Sequence, residues 1–251
     1  MKIGIITGAS SGLGRELLKN APAYFPEIEE YWIISRSRTA LEDAAGESCA
    51  KVRIIPLDLT RDEDVSQLKD ELKEASPQVE LLINNSGCGF LADFDESDEA
   101  EQLLMIDLNV RALTLVTHAV LPYMNSGAAV LCISSIASFC PNARMTVYSS
   151  TKAYVTSFSR GLRYELRDRK INVCVACPGP MNTPFLSKGG IKGRSKTFET
   201  LPYCKVDSTA KGALKAAKKG KAVYTPTPFF KLYRVLAKIL PHSAVIPLAK
   251  T

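Results

Sequence analysis

Short apolar runs alternate with amphipathic stretches along almost the whole chain. The runs Lys2–Ile6, Tyr31–Ser35, Val52–Leu57, Val79–Asn84, Ala128–Ser134, Ile171–Ala176 and Lys221–Tyr224 are rich in Val and Ile with little polar alternation. That pattern predicts strands buried on both faces. Helical periodicity falls between them, near residues 13–21, 39–45, 61–75, 98–124, 147–169 and 207–219. Such alternation predicts an α/β fold: a doubly wound, Rossmann-type parallel sheet of about seven strands, with right-handed crossovers placing helices on both faces. No repeat, low-complexity tract or long linker divides the chain, so residues 1–251 are expected to form one domain.

Two segments break the rhythm. Residues 180–205 mix Gly, Pro, Lys and Thr without clear period, directly after the sixth predicted strand. Open α/β sheets bind ligands on that side, so a substrate lid is expected there. Near the end, residues 228–242 place Lys231, Arg234 and Lys238 on one helical face and Phe229, Leu232, Tyr233, Leu236 and Leu240 on another. This is an amphipathic basic helix, suited to packing on its own domain, on a sister subunit, or on a membrane surface.

Charge sharpens the contrast between the two ends. Residues 186–251 hold fourteen Lys and Arg against Glu199 and Asp207, a net +12, while the preceding 185 residues carry 18 basic and 24 acidic side chains, a net −6. A solvated lysine-rich face would explain this, as would an anionic ligand, a membrane surface or an acidic partner. A strand starting at Lys2 leaves no room for a signal peptide, and no apolar run is expected to reach the roughly 18 residues of a spanning helix. A soluble, cytoplasmic protein is expected, with no nucleic-acid partner. Seven cysteines fit reduced thiols better than a disulfide framework. Cys174 and Cys177 form a CxxC, but residues three apart on a strand face opposite sides, and His118 and His242 lack partners at ligand spacing. No metal is implied.

Candidate chemistry begins at the first turn. The strand ending near Ile6 runs into TGASSGLG, with glycines at 8, 12 and 14, and a helix opens near Leu13. Missing side chains allow positive φ and close backbone approach, and the helix N-terminus offers free N–H groups to a pyrophosphate. Farther on, Tyr148 and Lys152 stand four apart at the start of a helix, where they share a face. A cation near a phenol lowers its pKa, which would make tyrosine usable as a general acid or base. Ser135 ends a strand thirteen residues earlier, where its hydroxyl could donate to a developing alkoxide, and no histidine stands near to make it a hydrolase nucleophile.

Taken together, TGASSGLG at 7–14, DLT at 58–60, NNSG at 84–87, LNV at 108–110, ISS at 133–135, YSSTK at 148–152 and PGPMNT at 178–183 resemble a classical short-chain dehydrogenase/reductase over nearly the whole chain. That resemblance implies a catalytic triad of Ser135, Tyr148 and Lys152, completed by Asn109 holding a water that links Lys152 to solvent. It implies cofactor contacts from Gly8, Ser10, Ser11, Gly12, Leu13 and Gly14 at the pyrophosphate and from Asp58 and Leu59 at the adenine. Asn85, Ser86 and Gly87 would border a ribose; Pro178, Gly179 and Thr183 would hold the nicotinamide end, and Tyr148 and Lys152 also touch the cofactor. Homodimers or homotetramers, paired through the helices at 98–124 and 147–169, are likewise implied.

The second strand ends in Ser35, Arg36 and Arg38, with no carboxylate to bond an adenosine 2′-hydroxyl and a guanidinium able to grip a phosphate. NADP is therefore favoured over NAD, although Ser11 stands where some NADP-using relatives place a further basic residue. The reading is an NADP-dependent oxidoreductase that interconverts a secondary alcohol and a ketone. The apolar, cationic C-terminal third points to a hydrophobic substrate of steroid, bile-acid or acyl type. Its rivals are a polyol or sugar reductase, a catalytically silent NADP-binding sensor, and a peripheral membrane protein anchored by residues 228–242.

Overall fold

Seven strands, all parallel, form the sheet in the order β3-β2-β1-β4-β5-β6-β7. They are β1 (Lys2–Thr7), β2 (Glu30–Ser35), β3 (Val52–Pro56), β4 (Gln78–Asn84), β5 (Met124–Ile133), β6 (Asn172–Ala176) and β7 (Val223–Tyr224). The computed structural model describes residues 1–191 and 193–248; position 192 of the expected lid and residues 249–251 of the expected domain lie outside the described residues. Strand order reverses between β1 and β4, the point at which doubly wound sheets open a crevice at their carboxyl ends.

The apolar runs become strands because helices cover both sheet faces. On one face lie α1 (Gly12–Tyr24), α2 (Arg38–Gly46) and α9 (Val206–Lys218), which bury Leu13, Leu17, Leu18, Leu41, Ala210, Ala213, Leu214 and Ala217. On the other lie α3 (Asp62–Ala75), α5 (Ala112–Val120) and α6 (Thr146–Glu165), contributing Val65, Leu68, Leu72, Val116, Val155 and Leu162. Alternate residues of one strand feed opposite layers, so Ile5 joins the second and Ile6 the first. Cys174 and Cys177 fall in separate layers for the same reason.

Element limits depart from the expected ones in instructive places. The helix expected at 98–124 is divided into α4 (Glu99–Ile106), a π-helical turn at Asp107–Arg111, α5, and a 3₁₀ turn at Leu121–Tyr123. The π turn adds one residue to the winding, and its Asn109 is buried. Helix α1 runs through Pro22 to Tyr24, because the ring removes one ladder bond while Phe25 N–H still reaches the Ala21 carbonyl at 2.9 Å. Strand β5 begins four residues early, at an exposed Asn125–Gly127 stretch whose polarity hides it. The irregular 180–205 segment contains two short helices, α7 (Pro184–Lys188) and α8 (Lys196–Thr200).

Contrary to expectation, the continuous run Glu99–Tyr123 is long and apolar enough to cross a bilayer by length and composition. It carries that apolarity into the core, where Ala112, Leu113, Val116 and Val120 pack on the sheet. The chain ends in α10 (Pro228–Ile239) and α11 (His242–Val245), which meet the loop after β5 through Cys140, Ala237 and Val245.

Candidate active site

The carboxyl ends of β1, β4 and β5 open a cleft of about 810 Å³. Gly8, Ser10, Ser11, Gly12, Leu13, Gly14, Ser35, Arg36, Asp58, Leu59, Asn85, Ser86, Gly87, Ser135, Tyr148, Lys152, Pro178, Gly179 and Thr183 all line it. Asn109 does not.

One end is built from backbone. Gly8 sits at φ +66 and Gly12 at φ +53, a region that L side chains enter with strain. A Cβ on Gly14 would lie 2.0 Å from the Gly8 carbonyl oxygen, so helix α1 can start this close to β1 only with glycine there. Ser11 takes the extended conformation before the first turn of α1, and its side chain makes no capping bond. The first amides of α1 thus face the cleft with the positive end of the helix dipole behind them. Thr7 ties this turn to the loop after β4: its Oγ1 accepts from the amides of Asn85 at 3.0 Å and Ser86 at 3.1 Å. Asn85 Nδ2 returns bonds to the carbonyls of Thr7 at 3.1 Å and Gly8 at 3.0 Å. Such a cradle of glycines and free amides fits a pyrophosphate.

At the end of β2, Ser35 Oγ is buried without a hydrogen-bond partner, and exposed Arg36 follows it on the cleft wall. Ser37 caps α2, its Oγ accepting from the Ala40 amide at 3.3 Å, and also borders the cleft. An orphan hydroxyl beside a guanidinium, with no acid between them, fits an anionic 2′-phosphate better than a bare ribose. Asp58 is turned inward, accepting from Thr60 N–H at 3.1 Å and Oγ1 at 2.7 Å.

Midway along the cleft stand Ser135, Tyr148 and Lys152. Helix α6 begins at Thr146, so the phenol and the ammonium rise from consecutive turns of one face, and both are buried. Lys152 Nζ donates to the Ile133 carbonyl at 3.2 Å and lies 5.8 Å from the centre of the Tyr148 ring. Ser134 Oγ fixes the same helix by donating to the Lys152 carbonyl at 2.8 Å. The loop geometry requires Gly89, where a Cβ would approach the Tyr148 ring to 2.7 Å and Phe185 to 2.8 Å.

The electrostatics overturn one expectation. Burial pushes the Tyr148 phenol up to about 12, opposed by a hydrogen bond with the Ser135 hydroxyl and reinforced by the neighbouring Cys88. Lys152 does not lower it: its ammonium is directed at a carbonyl, and burial pushes that amine itself down to about 8. The phenol is therefore held protonated at neutral pH in the protein alone.

Asn109 lies outside the cleft lining. It is 1% exposed and sits behind the cleft wall. Its Oδ1 accepts from the Cys88 amide at 2.9 Å, and its Nδ2 donates to the Cys88 carbonyl at 2.9 Å and to Thr151 Oγ1 at 3.0 Å.

The outer cleft is apolar. Phe90, Met145, Phe185, Leu186 and Phe198 line it from the lid side. Phe229, Phe230, Tyr233, Leu236 and Leu240 line it from the C-terminal helix, with Lys188 at the mouth. The motifs did not identify these residues as cleft walls. Gly89 carried a usable signal, a second glycine two residues after NNSG. For α10 the amphipathic pattern was visible, but its docking site was not. That site is Gly179: a Cβ there would stand 2.2 Å from the Phe230 ring. Among the three packings left open for the tail, the inner face of α10 lies on its own domain.

The chain was compared with known proteins. A family model described as short chain dehydrogenase matches residues 2–190. Sulfoacetaldehyde reductase 2 of Chromohalobacter salexigens is 34% identical over 73% of this chain and 74% of its own length. NADPH-dependent aldehyde reductase 1, chloroplastic, of Arabidopsis thaliana is 26% identical over 78% of this chain and 71% of its own. Among solved structures, a short-chain dehydrogenase from Sphingobium yanoikuyae in complex with NADPH superimposes with a TM-score of 0.78 at 25% identity, covering 96% of this chain and 97% of that one.

Proposed function

Because the chain belongs to the short-chain dehydrogenase/reductase family, we propose that it is an NADP-dependent reductase of hydrophobic carbonyl compounds, with Tyr148 as the proton donor. The observation that carries this reading is a buried phenol, bonded to Ser135, between a glycine cradle and an apolar pocket. NADP is the cofactor. Gly8, Gly12 and Gly14 would hold its pyrophosphate, Ser35 and Arg36 its 2′-phosphate, and Lys152 its nicotinamide ribose. When bound, it supplies the hydride; the protein supplies orientation and the proton.

The chain's own groups account for that second part. Tyr148 Oη keeps its proton at neutral pH, since burial holds its pKa at about 12. A protonated phenol is a donor, which favours the reducing direction. Ser135 shares a hydrogen bond with the phenol and stands ready to stabilise negative charge on the substrate oxygen. Lys152 carries its charge below about 8, so the cation that steadies an oxyanion near Tyr148 is present at neutral pH and lost as pH rises through that value. Asn109 is a positioning residue that fixes the Cys88 backbone.

The aromatic and aliphatic outer walls support a bulky apolar ketone, of steroid, bile-acid or acyl type. A second reading is a short anionic aldehyde, favoured by Lys188 at the mouth and by the similarity to a sulfoacetaldehyde reductase. The deciding experiment follows NADPH consumption across steroid, acyl, small-ketone and anionic-aldehyde panels, with Tyr148→Phe as the control. Turnover best on bulky apolar carbonyls supports the first reading, and a preference for short anionic aldehydes replaces it with the second. NADPH binding without oxidation on every panel would mark a cofactor sensor instead.

Helices α4 and α6 leave Leu103, Ile106, Tyr154 and Tyr164 at the surface. This supports a homodimer or homotetramer paired through them, which light scattering would detect.

A further inference from the structure

The C-terminal helix is apolar on more sides than its own fold can cover. Its inner face is fully engaged: Phe230 is buried against Gly179, Ala237 is buried beside Cys140, and Tyr233 meets Phe139 with ring centres 6.2 Å apart. The helix is anchored at its start by Thr227, whose Oγ1 accepts from the Phe230 amide and whose φ of +57 is strained for a β-branched residue. Arg234 adds a bond to Thr225 Oγ1 at 3.2 Å. These contacts orient the remaining faces outward.

What faces outward is greasy. Among the described residues, Phe229, Leu232, Val235, Leu236, Ile239 and Leu240 account for six of the thirteen large hydrophobic side chains that lie exposed, all within twelve positions. At 100° per residue, Val235, Ile239, Leu232, Leu236, Phe229 and Leu240 follow one another around the helix as a single apolar arc. One edge of that arc is the cleft itself, because Phe229, Leu236 and Leu240 both line the cleft and reach the surface. Beyond the other edge stand Lys231 and Lys238, exposed and without an ion-pair partner among the described residues.

An apolar arc flanked by cations, in a C-terminal region of net +12, is complementary to an anionic lipid surface. We propose that the outer face of α10 docks on an anionic bilayer, so that the cleft opens onto the membrane and takes its carbonyl substrate from the lipid phase. The delivery half rests on the carbonyl-reductase reading given above; the docking half does not. A hydrophobic substrate dissolved in a bilayer would then pass along Phe229, Leu236 and Leu240 without crossing water.

Flotation of the full chain, loaded with NADPH, with phosphatidylcholine vesicles that do or do not contain phosphatidylglycerol tests this. Two double variants accompany it: Leu232→Asp with Ile239→Asp, and Lys231→Glu with Lys238→Glu. None of these four side chains lines the cleft. Binding to the anionic vesicles is expected, with a loss of roughly tenfold or more in either variant. Turnover of a water-soluble carbonyl should persist in both, while turnover of a vesicle-dissolved one falls. Absence of vesicle binding by the unaltered chain, or binding that both variants retain, overturns the proposal. So does a dimer, seen by light scattering, that Leu232→Asp with Ile239→Asp splits while no vesicle binding occurs; the face would then belong to a second copy. Vesicle binding with no turnover on any carbonyl would leave the docking intact and refute only the enzymatic reading.

Discussion

The two ends of the cleft are built by opposite means. At the glycine turn the wall is backbone: Thr7, Asn85 and the carbonyls of Thr7 and Gly8 lock β1 to β4 through four hydrogen bonds near 3 Å. At the outer end it is side chain: phenyl rings and aliphatic branches from α7, α8 and α10 line the wall. Backbone walls suit a ligand that never changes. Side-chain walls can be exchanged residue by residue, as a substrate-selecting surface requires. Between them stands Tyr148, its ring packed with Phe185 at 5.8 Å and with the Leu186 cluster while its oxygen meets Ser135.

The strongest way to separate the two ends is to remove the group that stands between them. Tyr148→Phe should lower reductive turnover by about 10²–10⁴ while leaving NADPH affinity nearly intact, as stopped-flow rates and cofactor fluorescence would report. Equal loss of both would show that the phenol serves binding instead of proton transfer. At the backbone end, Gly14→Ala forces a Cβ into the Gly8 carbonyl. Overpacking of about 1–3 kcal/mol in thermal or urea unfolding is expected, with NADPH affinity weakened at least tenfold. A variant as stable and as avid as the parent would contradict the close strand–helix approach.

Cofactor choice is the next test. Ser35→Asp places a carboxylate on the cleft wall beside Arg36. It should shift preference from NADPH toward NADH by about tenfold or more, read as the ratio of kcat/KM values. The pH profile follows. Lys152 is protonated below about 8, so reductive kcat/KM should hold through neutrality and then fall about tenfold per unit above that value. Lys152→Arg, if active, should lose that limb, because guanidinium stays charged. The smallest effect belongs to the side-chain wall. Gly179→Ala must displace the Phe230 ring, raising KM for a bulky ketone a few-fold in steady-state assays.

This contrast also explains what could be read from the chain alone. Glycines in a strand-to-helix turn, a hydroxyl ending a strand and a tyrosine four residues before a lysine are local patterns, and the folded chain gathers all of them along one cleft. The doubly wound parallel sheet and its two helical layers followed from hydrophobic rhythm for the same reason, although the order of the strands did not. Non-local facts escaped. Nothing in YSSTK says that Lys152 will turn to the Ile133 carbonyl, so its effect on the phenol was misjudged. Nor does LNV say that Asn109 will turn away from the cleft, because that depends on a π turn midway along an apolar helix. Phe230 could be read as one face of an amphipathic helix, but not as the ring that fills the space left by Gly179, fifty-one positions earlier.

Asn109 repays a last look. Its flat carboxamide takes both polar groups of Cys88 and then reaches Thr151 on α6, behaving as a peptide unit borrowed from a neighbouring strand. An aspartate of the same shape could not donate, and an alanine could do neither. One side chain therefore yokes the loop after β4 to the helix bearing Tyr148. Any remodelling that moves one of them must carry the other along.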